Sequence, residues 1–299
     1  MSLGALADNP WVGNSRVRDA ATVPKQGDER VLQVEGSGSQ QSKASLRDGI
    51  VHRRAGPWSA AVLALLGHFE EVGFSGAPRV IGSGFAGDGR ETVSFVPGES
   101  PQPCAWDQHA VGRIGELLKE AHDASASFVP PADARWQNWF GRDLPGSRPV
   151  IGHCDLGPWN VIGQDGMPVA FIDWEFAGPV DALWDLAQTA WLNAQLHDDD
   201  IAERVGLPDA AARAEQLRSI VDGYRLDGPE RADFVDRLIA IAIHGARAEA
   251  VQYGVTPSST AAVSASGFPV LWGIAWRARS ASWLVSNRSL LERAVTRRQ

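Results

Sequence analysis

Residues 1–26 carry little periodicity, short strand-like runs around one stretch of three-and-four spacing fill the chain from Arg30 to about residue 97, and beyond it the three-and-four spacing dominates. From Arg30 the chain reads RVLQVEG, a Gly/Ser/Gln cluster, SKASL, the turn Arg47-Asp48-Gly49 and IVHRR, which predicts a hairpin pair with a glycine-bearing loop at one end. After Gly56-Pro57, Ser59 is placed to cap a helix whose apolar positions Val62, Leu65, Leu66 and Phe69 share one face and which ends at Gly73. RVIG from Arg79 and ETVSFV from Glu91 predict two further strands. Val96-Pro97-Gly98-Glu99 breaks that pattern, and beyond it Ala110, Ile114, Leu117, Leu118 and Ala121 line one helical face. Three short apolar runs follow Pro149 (VIG, NVIG and VAFID), and after Pro179 the pattern is helical over 181–195, 209–225, 229–252 and 269–296.

These patterns predict an α+β chain in three parts. Residues 1–26 form a loosely ordered arm, 27–97 a small antiparallel sheet carrying one long helix, and 98–299 a larger, mainly helical lobe. A length of 299 residues is room for two such lobes at about 150 residues per domain. No fixed repeat is present, which sets solenoids and propellers aside.

Composition narrows the function classes. A hydrophobic share of 44% with 21% charged residues excludes disorder for the bulk of the chain. With 28 Lys and Arg against 36 Asp and Glu the net charge is −8, which argues against a sequence-independent grip on nucleic acid. Two cysteines, Cys104 and Cys154, supply neither a disulfide framework nor a four-cysteine zinc site and fit a reducing cytosol. No apolar stretch approaches the ~18 residues of a membrane span, and the first thirty residues hold no apolar segment behind a basic start. A cytoplasmic protein without a membrane or nucleic-acid partner is expected.

The chemistry concentrates in residues 151–187, IGHCDLGPWNVIGQDGMPVAFIDWEFAGPVDALWDLA. His153, Asp155 and Asn160 spell H-x-D-x-x-x-x-N, and Asp173 follows the strand-like run VAFI. Kinase-type phosphoryl transfer uses this pattern. An exposed carboxylate must accept the proton of the attacking hydroxyl, and Asp155 is placed for that role. Mg²⁺ wants hard oxygen ligands, and Asn160 and Asp173 supply an amide carbonyl and a carboxylate. Gly157-Pro158 lets the loop turn so that base and metal ligand face one phosphate, while His153 supports the loop or Asp173 by hydrogen bonds. Three fixed positions at roughly one in twenty each give on the order of 0.04 chance matches in a chain of this length.

This block resembles the aminoglycoside phosphotransferase and choline kinase family, small-molecule kinases with the bilobal protein-kinase-like fold. HCDLGPWN is similar to its catalytic loop and FIDWE to its metal-binding strand end; GAPRVIG, ETVSFVPGE, ALWDLAQTAW and ASWLVSNRSLLERA follow in the family's order. The resemblance is nearest a bacterial branch labelled phosphotransferase or trifolitoxin immunity-like. It implies that Asp155 is the catalytic base, that Asn160 and Asp173 hold Mg²⁺, and that a nucleoside triphosphate, ATP or GTP, is the donor. It further implies that Gly36, Ser37, Gly38 and Ser39 cover the phosphates, that Ser94, Phe95 and Val96 meet the purine, and that Asp185 ties down the catalytic loop. Most relatives hold the phosphates with a strand Lys paired to a helix Glu. Here the strand reads IVHRR, so Arg53 becomes the substitute and Glu70 its expected partner.

The family places its acceptor between the catalytic loop and the C-terminal helices. Glu175, Asp198, Asp199 and Asp200 are then candidates for a cationic acceptor such as an aminoglycoside, although an Asp run at a helix start also reads as a cap. Trp159, with the other tryptophans nearby, offers a face to a quaternary ammonium. Three functions remain open: a kinase for an antibiotic or similar small molecule, a choline- or homoserine-type metabolic kinase, and a kinase-fold binding or immunity protein with weak catalysis.

Overall fold

The computed structural model describes residues 30–32, 44–102, 104–260, 262–264 and 269–297. The expected arm 1–26 and the segment Gly36, Ser37, Gly38 and Ser39 lie outside the described residues.

Turn chemistry sets the N-terminal sheet. Asp48 and Gly49 both take positive φ, 51° and 76°, the two-residue geometry that matches strand twist. They join β2 (Ala44–Arg47) to β3 (Ile50–Arg53), with Arg47 opposite Ile50. With β1 (Arg30–Leu32), β4 (Val80–Phe85) and β5 (Glu91–Ser94) the sheet has the order β1-β2-β3-β5-β4, antiparallel throughout. Between β3 and β4, α1 (Ser59–Glu71) buries Val62, Leu65, Leu66 and Phe69, each such side chain contributing about 1.5–3 kcal/mol. Ser59 does not cap it. It is the first helical residue, and its Oγ instead accepts the Gly56 N–H at 2.8 Å, fastening the loop that enters the helix.

Past the sheet, α2 (Val111–Ser125) turns Ile114, Leu117, Leu118 and Ala121 inward, as their spacing requires. β6 (Pro149–Gly152) pairs with β9 (Gly178–Asp181), and β7 (Val161–Gln164) pairs with β8 (Met167–Phe171) through a second positive-φ pair, Asp165 and Gly166. α3 (Ala182–Asn193) is buried along its whole length and is capped by Asp181, whose carboxylate accepts the Leu183 N–H at 3.0 Å. α4 (Asp199–Val205), α5 (Ala210–Gly223), α6 (Gly228–Ala232), α7 (Phe234–Gln252), α8 (Val270–Ser286) and α9 (Arg288–Thr296) complete the chain.

The runs expected as single helices over 229–252 and 269–296 are each two. Asp233 and Asn287, both at φ −100° with ψ near zero, leave the helical path and break them. α4 was absent from the expected runs because it buries only Ile201 and Ala202, too few for a periodic signal.

The architecture is the bilobal α+β fold, with the core continuous from Val62 on α1 to Val295 on α9. Contacts beside the site fasten the sheet, and the segment that leaves it, to the helical lobe. Glu99 and Gly163 exchange both backbone hydrogen bonds, at 3.0 and 2.9 Å. Phe69 of α1 packs edge-on against Trp174, with centroids 5.1 Å apart. Among the described residues no helix is long and apolar enough to cross a membrane.

Candidate active site

The loop from β6 to β7 carries His153, Asp155 and Asn160, and it is held almost entirely through its main chain. Asp185, fully buried in the first turn of α3, accepts the N–H of His153 and of Cys154 at 2.9 Å each. Its Oδ2 also meets His122 Nε2 at 3.0 Å, and His122 Nδ1 lies 2.8 Å from the Tyr224 hydroxyl. Farther along α3, Gln188 donates to the Cys154 carbonyl and Asn193 to the Leu156 carbonyl, at 3.2 and 2.9 Å. Cys154 takes φ +65°, a conformation that L residues hold only when their surroundings over-determine it.

His153 is buried and bridges the loop to the segment just after β8. The Asp155 N–H donates to Nδ1 at 3.3 Å, so Nε2 carries the proton and donates to the Ile172 carbonyl at 2.8 Å. Burial pushes its pKa below the ordinary histidine value and outweighs the pull of the Asp185 charge, so the ring is neutral. Asn160 donates through Nδ2 to the Asp155 carbonyl oxygen at 2.8 Å, while its Oδ1 is buried with no partner among the described residues. Asp173 sits one residue past Ile172 in a left-handed conformation, φ 61° and ψ 58°, at the head of the short turn Trp174–Phe176.

Arg53 reaches this turn from the sheet. Its Nη1 donates to Asp173 Oδ1 at 2.9 Å and its Nε to Glu91, the residue directly opposite on β5. Burial works against the Arg53 charge, yet Glu91 and Asp173 outweigh it and hold the guanidinium above its ordinary pKa. The expected partner Glu70 is a correction: it lies in the last turn of α1, 45% exposed, and pairs with Arg79 at 3.1 Å. Two of the three residues expected to meet the purine, Ser94 and Phe95, have their N–H groups engaged within the chain. The N–H groups of Ser94 and Phe95 already donate to the carbonyls of Arg79 and Gly49, at 2.8 and 2.9 Å, so neither offers a free donor.

The acidic acceptor candidates are engaged within the chain. Asp198 caps α4 and, with Asp200, pairs with Arg279; Asp199 binds Arg213 at 2.9 Å and the Trp283 indole N–H at 2.7 Å. Three carboxylates facing two arginines leave little net charge for a cationic acceptor. Glu175 lies in the turn after Asp173, close enough for its charge to act on Arg53. Trp159 packs over Gly157, where a Cβ would stand 2.3 Å from its ring, and its indole N–H is buried without a partner among the described residues. Nearby, Arg277 of α8 pairs with Glu249 of α7, and Asp155 is among the charges acting on it.

The donor set fits a hard cation. Asn160 Oδ1 is an orphaned amide oxygen and Asp173 a carboxylate, ligands suited to Mg²⁺ rather than to a softer metal. Among the described residues no three His, Cys, Asp or Glu side chains are grouped to hold a metal ion, so phosphate and water would fill the other places, as Mg²⁺ favours.

Comparisons with known proteins give the family and the fold. The model of the phosphotransferase enzyme family matches residues 129–235, the stretch that holds Asp155, Asn160, Asp173 and Asp185. A trifolitoxin immunity protein from Rhizobium leguminosarum bv. trifolii is 49% identical over 259 residues, which is 87% of this chain and 97% of that protein. Among solved structures, an amicoumacin kinase in complex with AMP-PNP, Ca²⁺ and Ami superimposes with a TM-score of 0.60 at 13% identity, over 85% of this chain and 88% of its own. A microcompartment-associated aminopropanol kinase gives 0.57 at 14% identity over 90% and 94%, and a choline/ethanolamine kinase family protein from Mesorhizobium loti 0.52 at 15% over 93% and 96%. The solved structures share the fold, and the 49% identical relative and the family model carry the assignment further: this chain belongs to the phosphotransferase enzyme family.

Proposed function

We propose that the chain transfers the γ-phosphoryl group of ATP or GTP, with Mg²⁺, to a hydroxyl of a toxin- or antibiotic-like small molecule in the cytoplasm. The observation that carries this reading is the side chain of Asn160. Its amide nitrogen is tied to the Asp155 main chain, which leaves a buried oxygen without a partner beside the proposed base.

In this reading Asp155 accepts the proton of the acceptor hydroxyl as its oxygen attacks. Asn160 and Asp173 hold Mg²⁺, which when bound neutralises charge on the phosphate oxygens. His153, neutral and fixed at both ring nitrogens, keeps Asp155 in register with the strand end that bears Asp173. Asp185 keeps the loop's N–H groups turned inward. The sheet lobe of 27–97 takes the nucleotide and the lobe of 98–299 the acceptor. The toxin-like acceptor is supported by the name of the 49% identical relative.

A second reading, a kinase-fold immunity protein that binds without turnover, is favoured by one observation: the Arg53 guanidinium is already committed to Asp173. Nucleoside diphosphate release separates the two. ATP and GTP are tried with Mg²⁺ against aminoglycosides, macrolides, peptide antibiotics, choline and homoserine, with Asp155→Asn as the blank. Acceptor-dependent release that vanishes in the variant supports the kinase. Nucleotide binding without release for any acceptor supports the immunity protein.

A further inference from the structure

The Arg53 side chain is fixed by the sheet, and α1 takes no part. Arg53 and Glu91 stand directly opposite each other across β3 and β5, and the Arg53 Nε donates to the Glu91 carboxylate. Glu91 is 1% exposed, and its second oxygen is buried without a partner among the described residues. Nη1 goes to Asp173, which leaves the Nη2 amino group, without a hydrogen-bond partner among the described residues, as the open end of the fork. Glu70, the α1 acid expected as the partner of Arg53, is spent on Arg79 at the surface.

We propose that Glu91 is the positioning residue for nucleotide phosphates: it holds Arg53 by its Nε so that the outer guanidinium edge is presented to the β- and γ-phosphates beside Asp173. The inference rests on the kinase reading above. A cross-strand pair in direct register is set by the ladder of backbone hydrogen bonds between its two strands, here β3 and β5, so its geometry does not follow any movement of a helix. Arg suits this arrangement where Lys would not, because a planar fork can bind a carboxylate on one edge and a phosphate on the other. A Lys at residue 53 would have a single ammonium for both tasks. The acidic partner on the strand and the Arg in place of Lys thus form one device.

The test is direct binding of a non-hydrolysable triphosphate, AMP-PNP or GMP-PNP with Mg²⁺, alongside adenosine or guanosine alone. Glu91→Gln weakens triphosphate binding by about tenfold or more while the nucleoside binds as before. Glu91→Asp recovers part of the loss, and Glu70→Gln changes neither. Undiminished triphosphate affinity in Glu91→Gln overturns the proposal, as does an equal loss for nucleoside and triphosphate, or an equal loss in Glu70→Gln. Should Glu91→Gln fail to fold because Arg53 is left buried and under-compensated, Arg53→Met is compared with Arg53→Met/Glu91→Gln, in which both charges are gone. Equal triphosphate affinity in those two supports Glu91 acting through Arg53, and a further loss in the double variant overturns it. Wild-type protein that binds neither triphosphate overturns the donor reading itself, and the inference falls with it.

Discussion

Asn160 and Asp155 are bound to each other: the Asn160 amide donates to the Asp155 carbonyl oxygen at 2.8 Å and lies 3.4 Å from its carboxylate. The main-chain bond decides which way the amide points. The nitrogen is consumed by the loop, and the oxygen is what remains for a cation. The proposed base and the proposed metal ligand therefore form one rigid unit, and a change at either reports on both.

Asp155→Asn removes the only atom in this unit that can take a proton, while leaving the main-chain carbonyl that Asn160 uses. Turnover is expected to fall by about 10²- to 10⁴-fold with Mg²⁺-nucleotide affinity within a few-fold of wild type. Diphosphate release and nucleotide titration calorimetry on the same preparation check this. Turnover at the wild-type rate removes Asp155 from the role of base.

Asp185→Asn tests the clamp behind the loop. The carboxylate receives the N–H groups of His153 and Cys154 and a nitrogen of His122, and an amide would turn a donor toward at least one of them. The expected cost is about 2–4 kcal/mol of stability, read from the urea midpoint at neutral pH. Burial resists ionisation of Asp185, but the His122 hydrogen bond and the Cys154 N–H outweigh it and hold its pKa below the usual carboxylate range. A carboxylate depressed in the folded state stabilises above its unfolded pKa of about 3.9 and loses that contribution as pH falls toward the folded value. The gap between wild type and variant should accordingly be constant from pH 7 to about 5 and close only in stronger acid. A gap that closes between pH 7 and 5 assigns the effect to another group.

What was readable in the sequence is what chemistry restricts to a residue type at a fixed spacing. Asp155, Asn160 and Asp173 stand in one short block because proton transfer and Mg²⁺ binding tolerate few substitutes. The Asp48-Gly49 turn was readable because few residues accept two successive positive φ angles. Glu91, His122, Gln188 and Asn193 were not, since each meets its partner 34 to 102 residues away. One signal could have exposed part of this set. Asp185, Gln188 and Asn193 recur at intervals of three and five residues within a mostly apolar helix, which places three polar side chains on one face that cannot be solvent. The pairing of Arg53 with Glu91 rather than Glu70 depends on the β3–β5 register, which composition and periodicity leave undetermined.

Gly98→Ala tests the join between the sheet and the catalytic lobe. Gly98 has φ 138°, and a Cβ there would stand 2.3 Å from the Gly163 carbonyl oxygen, beside the Glu99–Gly163 bridge. Both the backbone conformation and the close approach exclude a side chain. The substitution should cost more than about 1 kcal/mol and lower Tm by several degrees. Gly87→Ala, where a Cβ meets nothing within 4 Å and φ is not positive, serves as the control and should leave Tm within about one degree. Equal melting of the two variants would show that the join tolerates a side chain.

Two histidines make the fold acid-sensitive well above the carboxylate range. Burial lowers the pKa of His153, and burial with the neighbouring Arg213 charge pushes His197 down to about 3. The His197 ring packs against Trp276 at 5.1 Å, and its Nδ1 is buried without a partner among the described residues, so a second proton finds nothing to bind. In the unfolded chain both rings take up a proton near pH 6.5, whereas the folded chain resists, so the unfolded state binds more protons below that pH and stability falls with acidification. For His197 alone the loss between pH 6.5 and 5 reaches up to about 2 kcal/mol, at 1.36 kcal/mol per pH unit. Urea midpoints at about pH 7.5 and 5 measure this slope, with His197→Gln as the comparison because Gln carries no titrating proton. The variant should lose a substantial part of the pH dependence while His153 sustains the remainder. A slope unchanged by His197→Gln would mean that His197 is protonated in the folded protein at pH 5, and the opposing Arg213 charge would then have to be screened by Asp199, which already pairs with it at 2.9 Å.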